Sequence, residues 1–445
     1  MAGVTAAIPS TPLPSVLHED YAAIAAGTHA EGPRGTVRFA VSTADPAEGK
    51  GDLFVALGLA RALRAEGWGV AMWPLERWGD EVPVDTAAVV VMIESFVPGY
   101  VPAGTALVAW VRNWTEKWAA LPYLDEFDAV WTSSTIARDA IAPHVATTVE
   151  VVPIGVDLDL FTTDRPHAHA EPADVDPVAA ADAARTDRAV TTVNFWGVRR
   201  RVQDVLAEVA PPEPIIWYAA NVDHVEPSPG VELRPMVSYF SLPEVYRAAG
   251  FVVDDVIAPA AAYGTLNSRL YESLACGALP VTDCALGLDE LGLAEVPVFD
   301  DAASLERALA MPREERTALV ERLRAVVVER HSFRSRAEQV GPSLDAAVAA
   351  ASGRSGERSA FLRWATEQRE LLRRTEHDRD VHLAGVHDIN ERLIVSEQKV
   401  GAHDTARQVA EAERDQIAAR FHGLTRSPEY RVLHGLGLMA RRARR

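Results

Sequence analysis

Residues 262–282, AYGTLNSRLYESLACGALPVT, hold the densest set of groups able to do chemistry. The pattern predicts a loop, a helix opening at Asn267 and Ser268, a glycine stop at Gly277 and a buried strand over 279–282. Free N–H groups and the positive dipole end of such a helix form an anion site. Arg269 stands in the first turn, where the dipole disfavours a cation, so an anion is expected close by. Glu272 follows one turn after Ser268 and can face the same cleft. A carboxylate beyond a phosphate site commonly accepts hydrogen bonds from ribose hydroxyls. The chemistry this set suits is the holding of a nucleoside diphosphate.

Such a helix must be aimed by a sheet, and the chain supplies two series of sheet elements. In the first, apolar runs at 37–42, 68–73, 87–93, 105–111, 129–133 and 149–153 predict strands, with helices over 53–66 and 135–141. In the second, strands are expected at 190–195, 215–219, 251–254, 279–282 and 296–299, and helices at 202–209, 242–249, 267–275, 304–309 and 313–330. Apolar strands alternating with helices imply parallel sheets covered on both faces. The fold class is therefore α/β, with two Rossmann-like domains offering the carboxyl ends of their strands to one shared cleft. The expected organisation is a loose extension over 1–35 with a short helix near 18–26, an N-terminal domain over 36–160, and an Ala-, Asp- and Pro-rich linker over 161–189. A C-terminal domain over 190–352 and a charged helical tail over 353–445 complete it. Within the tail, residues 358–421 read as one or two long helices with a thin, interrupted heptad seam. They are either a solvated tail or a segment for coiled-coil self-association or docking of a protein partner.

The 445 residues carry a net charge of -19, which argues against nucleic acid as a partner. A basic end at Arg441, Arg442, Arg444 and Arg445 reverses that sign locally and suits a solvated tail or a peripheral contact with an inner membrane face. Two cysteines, Cys276 and Cys284, exclude a disulfide scaffold and fit a reducing, cytoplasmic setting. The first 35 residues lack the charged start and apolar run of a signal peptide.

The stretch RLYESLACGALPV resembles the donor-binding signature of GT-B glycosyltransferases, in the broad bacterial group related to families 1 and 4. Residues 282–290 (TDCALGLDE), 242–246 (LPEVY), 152–161 (VPIGVDLDLF), 331–336 (HSFRSR) and 51–70 are similar to further segments of that family, in the family's order. The resemblance implies a GT-B architecture and a metal-independent hexosyltransferase without a cofactor, its substrate a nucleotide-diphosphate sugar. The acceptor it implies is a carbohydrate or glycolipid of a bacterial surface polymer. It places Glu272 on the ribose and Asn267, Ser268 and Arg269 on the diphosphate, with Tyr263 and Gly264 in the donor loop. Gly197 would allow close approach of the donor, and Arg200 or Arg201 would neutralise phosphate charge. Gly51, Arg112, Asn113, Ser133 and Ser134 would line the N-terminal wall of the cleft.

Asp52 and Glu94 are candidate acceptor-side bases, and equally a helix N-terminal charge and a solvated loop acid. Asp254 and Asp255 are adjacent, but no metal is assigned to them. Family 4 enzymes usually carry a second glutamate eight positions before the ribose-binding one, and here that position is Gly264. That departure keeps two alternatives open, a non-catalytic GT-B scaffold in a glycan-assembly complex and a nucleotide-sugar epimerase. A dehydrogenase is disfavoured, because no G-x-G-x-x-G follows the first strand.

Overall fold

Alternate residues of the apolar strands go to opposite sides of one sheet. Ala106, Val108 and Trp110 join one core cluster, while Leu107, Ala109 and Val111 join another. With side chains repeating every two residues, an all-apolar strand demands cover on both faces. In the computed structural model this strand is β4 (Ala106–Val111) of a six-stranded sheet with β1 (Thr36–Val41), β2 (Gly69–Pro74), β3 (Thr86–Val91), β5 (Ala129–Thr132) and β6 (Val149–Val151). The order is β2-β1-β3-β4-β5-β6, and each neighbouring pair is parallel. The structure describes residues 15–164, 187–194, 200–211, 213–220 and 227–428. Gly197, most of the linker and the basic C-terminal end lie outside them.

The second sheet has five parallel strands in the order β11-β10-β7-β8-β9. They are β7 (Ala189–Thr191), β8 (Ile215–Ala219), β9 (Val231–Pro235), β10 (Phe251–Val253) and β11 (Leu279–Val281). β9 was not expected, because only Val231 in it is buried and the segment VELRP has no apolar run. The strand expected at 296–299 is only a single bridge between Thr282 and Val298. Pro297, which has no N–H to give a ladder, interrupts it.

Three packing features bear on the ends of the domains. Residues 15–25 form a helix whose Tyr21 and Ile24 are buried, where a short helix near 18–26 was expected. Tyr21 donates a 2.6 Å hydrogen bond to Asp157, far along the chain. The helix Phe333–Ser352 follows the second sheet in sequence but packs against β3, β4, β5 and the helix Gly51–Ala65 of the first. The chain crosses there through a knot of short-range bonds. Val156 donates to the His331 carbonyl at 2.9 Å and Phe333 to the Val156 carbonyl at 3.0 Å, and the Arg336 Nε donates to the Pro153 carbonyl at 2.7 Å. Lastly, Leu362 belongs to the second core cluster, and the first compact unit runs to Glu367 rather than 352. The second unit, from Gln368, contains the rest of a 67-residue helix, Ala360–Arg426, with Leu371, Val386, Ile389 and Leu393 exposed. Among the described residues no helix is long and apolar enough to cross a membrane.

Candidate functional site

The carboxyl ends of β7, β8 and β9 open into a pocket of about 110 Å³. Thr192, Asn194, Tyr218, Met236 and Val237 come from the ends of β7, β8 and β9, and Ser268, Arg269 and Glu272 from the helix Ser268–Ala275. The first domain adds Gly49, Gly51 and Phe54 from its glycine-containing loop and the helix behind it. Tyr239 stacks on Phe54 across the two domains, with ring centroids 3.9 Å apart and planes inclined by 8°. Such a pair contributes about 0.5–1.5 kcal/mol beyond its buried area. Phe161 and Phe240 meet Tyr239 edge-on, so the domains are joined here by aromatic packing.

Glu272 is buried at the pocket lining and accepts a hydrogen bond from the Tyr239 hydroxyl at 3.2 Å. Burial pushes its carboxyl up to about 7, against the opposing pull of a Ser268 hydrogen bond and of Arg269. It therefore sits at the edge of ionisation near neutral pH. The helix start beside it is open. Asn267 occupies the N-cap position with extended backbone and makes no side-chain cap. Its amide donates instead to the Asp255 carbonyl, which leaves the first-turn N–H groups without a side-chain acceptor.

Arg269 has a double role. It lines the pocket, yet its guanidinium is already engaged, the Nε to Asp254 at 2.7 Å and an Nη to Asp255 at 2.9 Å. Arg200 adds bonds of 2.9 and 3.1 Å to the two carboxylate oxygens of Asp255. Asp254 and Asp255 are fully buried at the end of β10, so two acids and two arginines form one compensated cluster. Burial still raises the Asp254 carboxyl, and one of its oxygens has no partner. The expected cation in the first helical turn is thus stabilised by acids of its own domain while it lines the pocket. Among the described residues no group of three or more His, Cys, Asp or Glu has the arrangement to hold a metal ion.

The fold is similar to that of solved structures. Sucrose-phosphate synthase from Thermosynechococcus elongatus superposes with a TM-score of 0.50 at 16% identity, covering 71% of this chain and 99% of that one. HepE of Anabaena in complex with UDP-glucose gives 0.51 at 12% identity, covering 69% and 99%. Residues 179–341 match the family model described as glycosyl transferase-like. No curated protein matches the chain in sequence. The chain has the GT-B glycosyltransferase fold.

In this GT-B framework the candidates from the sequence separate into those at the pocket and those elsewhere. Gly51, Ser268, Arg269 and Glu272 line it, with Asn267 at the helix mouth. Arg200 lies beneath, on Asp255, while Arg201 is half-exposed and bonded to Asp300. Tyr263 and Gly264 sit at a contact between the GT-B domains. The Tyr263 carbonyl accepts from the Ser134 hydroxyl, and its own hydroxyl reaches Glu116 at 3.3 Å. Gly264 has φ +67 and rests against Gly287, whose added Cβ would fall 2.2 Å from the Gly264 carbonyl oxygen. A Cβ on Gly264 itself would meet the Gly287 backbone at 3.2 Å, and its positive φ would strain any side chain. The hydroxyl of Ser134 also caps the helix Thr135–Ile141, and Glu290 accepts from Thr135 N–H at 2.9 Å, so Ser134 stitches the domains together. Ser133 is buried against the Val111 carbonyl. Asp52 has both carboxylate oxygens on Ser42, at 2.7 Å from its N–H and 2.8 Å from its hydroxyl. Glu94 pairs with Lys117 at 3.1 Å. Neither acid is among the pocket residues. Arg112 and Asn113 lie just past the carboxyl end of β4, half-buried.

Sequence reasoning missed Asn194, Tyr218, Met236 and Tyr239. Asn194 carried a signal, being the first strongly polar residue after a buried strand. Tyr239 carried another, in the aromatic pair Tyr239-Phe240 ahead of a helix. Their meeting with Phe54 and Glu272 has no local trace.

Proposed function

We propose that this protein transfers a sugar from a nucleotide-diphosphate sugar to an acceptor, without a metal or a cofactor. The observation that carries the reading is the buried Glu272 beside an uncapped helix N-terminus at the carboxyl ends of a parallel sheet. Glu272 accepts from the ribose hydroxyls, replacing the Tyr239 hydroxyl as its partner. The N–H groups at Ser268 and the outer face of Arg269 hold the diphosphate. Charge grows on that diphosphate as the bond to the sugar breaks, and donors fixed beforehand stabilise it without reorganising. Gly197 and Arg201 are proposed at the donor's edge, and Arg200 as the residue that holds Asp255 beneath it. A GT-B neighbour solved with UDP-glucose supports a donor of that class.

The acceptor is proposed to lie on the N-terminal domain, along the carboxyl ends of β1 and β4, and to be a carbohydrate or glycolipid of a bacterial glycan. The exposed apolar residues of the helix beyond Gln368 support self-association or a protein partner there. A cytoplasmic setting, peripheral to the inner membrane face at most, fits this chemistry.

A second reading, a non-catalytic scaffold, is favoured by two observations. Gly264 stands where a second acid was expected, with a positive φ that strains any side chain, and both oxygens of Asp52 accept from Ser42. The test is to supply the purified chain with UDP-, GDP- and dTDP-sugars and measure nucleotide release and sugar transfer. Turnover abolished by Glu272→Ala supports the enzyme. Tight nucleotide binding with no release from any donor supports the scaffold, and no binding at all removes both.

A further inference from the structure

Arg112 is an arginine with nothing to hold. It follows directly on β4, at the carboxyl edge of the N-terminal sheet. Its Nε is sealed from solvent and unbonded, and among the described residues no side chain gives its guanidinium a hydrogen bond or an ion pair. The two terminal nitrogens, equally unbonded, are not sealed, so the fork's outer edge is left accessible. Burial pushes the group down to about 10, and the charge that opposes this is Asp52. Asp52 makes no hydrogen bond or ion pair to it, and its two oxygens accept from Ser42 instead. A guanidinium taken from water and left unpaired is among the costliest arrangements a fold holds. It is stable only when something completes it, and a planar fork is completed by two oxygens of one anion.

The neighbourhood is built rather than loose. Trp114, two residues on, has φ +57 and ψ +40, and it is the one non-glycine residue with positive φ among those described. A bulky side chain in that region is a strained backbone, which persists where the surroundings over-determine it and which clusters at ligand sites. Lys117 lies 3.8 Å over the Trp114 ring and is paired with Glu94, so it fixes the loop while its charge is already met. Arg112 is not one of the residues lining the donor pocket, and that pocket has its own anion anchor at Ser268 and Arg269.

We propose that Arg112 receives a phosphate or carboxylate group carried by the acceptor, so that the acceptor is an anionic sugar rather than a neutral one. This rests on the reading of the N-terminal domain as the acceptor side. The test uses the full chain and Arg112→Gln, with Arg112→Lys as the conservative variant. Thermal melting is followed with inorganic phosphate, glucose 6-phosphate, glucuronate and glucose, against chloride at equal ionic strength. Phosphate or the charged sugars should raise the wild-type midpoint, and glucose should not. The rise should vanish in Arg112→Gln and survive in part in Arg112→Lys, with charged-sugar affinity down at least about tenfold in Arg112→Gln. Without ligand, Arg112→Gln should melt no lower than wild type, because it removes an uncompensated charge. Equal shifts in wild type and Arg112→Gln, or no shift in wild type with any anion, would overturn the proposal. Binding of UDP, GDP and dTDP is measured alongside. Nucleotide binding unchanged in both proteins but no anion effect sinks this inference alone. An Arg112-dependent anion effect without nucleotide binding sinks the glycosyltransferase reading and leaves the anion site standing.

Discussion

The sharpest prediction concerns protons at Glu272. Its carboxyl is raised to about 7 by burial, so near neutral pH it is roughly half protonated. Ribose hydroxyls that donate to it favour the ionised form, and nucleotide binding should release a proton. Affinity must then fall as pH drops below that value. If only the ionised form binds, moving from about pH 8 to about pH 5.5 weakens binding about 30-fold, or about 2 kcal/mol. Calorimetric titrations in buffers of different ionisation enthalpy measure both the affinity and the proton count. Glu272→Gln should bind more weakly than wild type at pH 8 and show no such slope. The free protein gives a second readout. A carboxyl raised in the folded state stabilises fully below the unfolded value near 4.5, and that stability is lost as pH rises to about 7. Glu272→Gln should thus gain about 3 kcal/mol on wild type at pH 8 and little at pH 4. The comparison has to be variant against wild type, because buried His331, lowered to about 4, works in the opposite sense. Its contribution is present above the unfolded value near 6.5 and is lost as pH falls through about 4. A wild-type affinity that stays flat over this range, or a slope that persists in Glu272→Gln, refutes the assignment of Glu272 as the ribose acceptor.

Other expectations follow from the same geometry. Asp255→Asn strips the acid shared by Arg200 and Arg269 and should cost about 3–5 kcal/mol, read from the denaturant midpoint. Tyr239→Ala should lose about 3–5 kcal/mol by opening the domain interface at Phe54, whereas Tyr239→Phe should keep the stack and alter chiefly the pH dependence of nucleotide binding. Gly287→Ala should destabilise by at least about 1–3 kcal/mol from its positive φ, with the contact against Gly264 added, as a lowered melting temperature would report. Replacing Ile389 and Leu393 by Asp should reduce the molar mass seen by light scattering if the tail pairs with a second copy, and leave the melting of the first unit unchanged.

Much of the domain plan is local and was therefore readable. Apolar runs of four to seven residues alternating with helical spacing fix parallel strands wherever cover on both faces is available, as at β1 to β5. The glycine stop after the helix Ser268–Ala275 and the placing of Asn267 and Glu272 on that helix depend only on residues within two turns of each other. What tertiary structure alone decided are the partnerships between distant segments. Arg269 reads as a free phosphate ligand in sequence, but chain folding delivers Asp254 and Asp255 to it. Tyr21, in the short helix expected near 18–26, reaches Asp157, which is 136 residues away. Asp52 reads as a candidate base or a helix N-terminal charge, and folding brings Ser42 to both of its oxygens; Arg112 reads as one cleft residue among several, and folding leaves its Nε buried and unbonded. Periodicity records which face of an element is apolar, and that is a property of neighbours along the chain. Whether a charge is met or left waiting depends on what the fold brings beside it, and no stretch of sequence carries that information by itself.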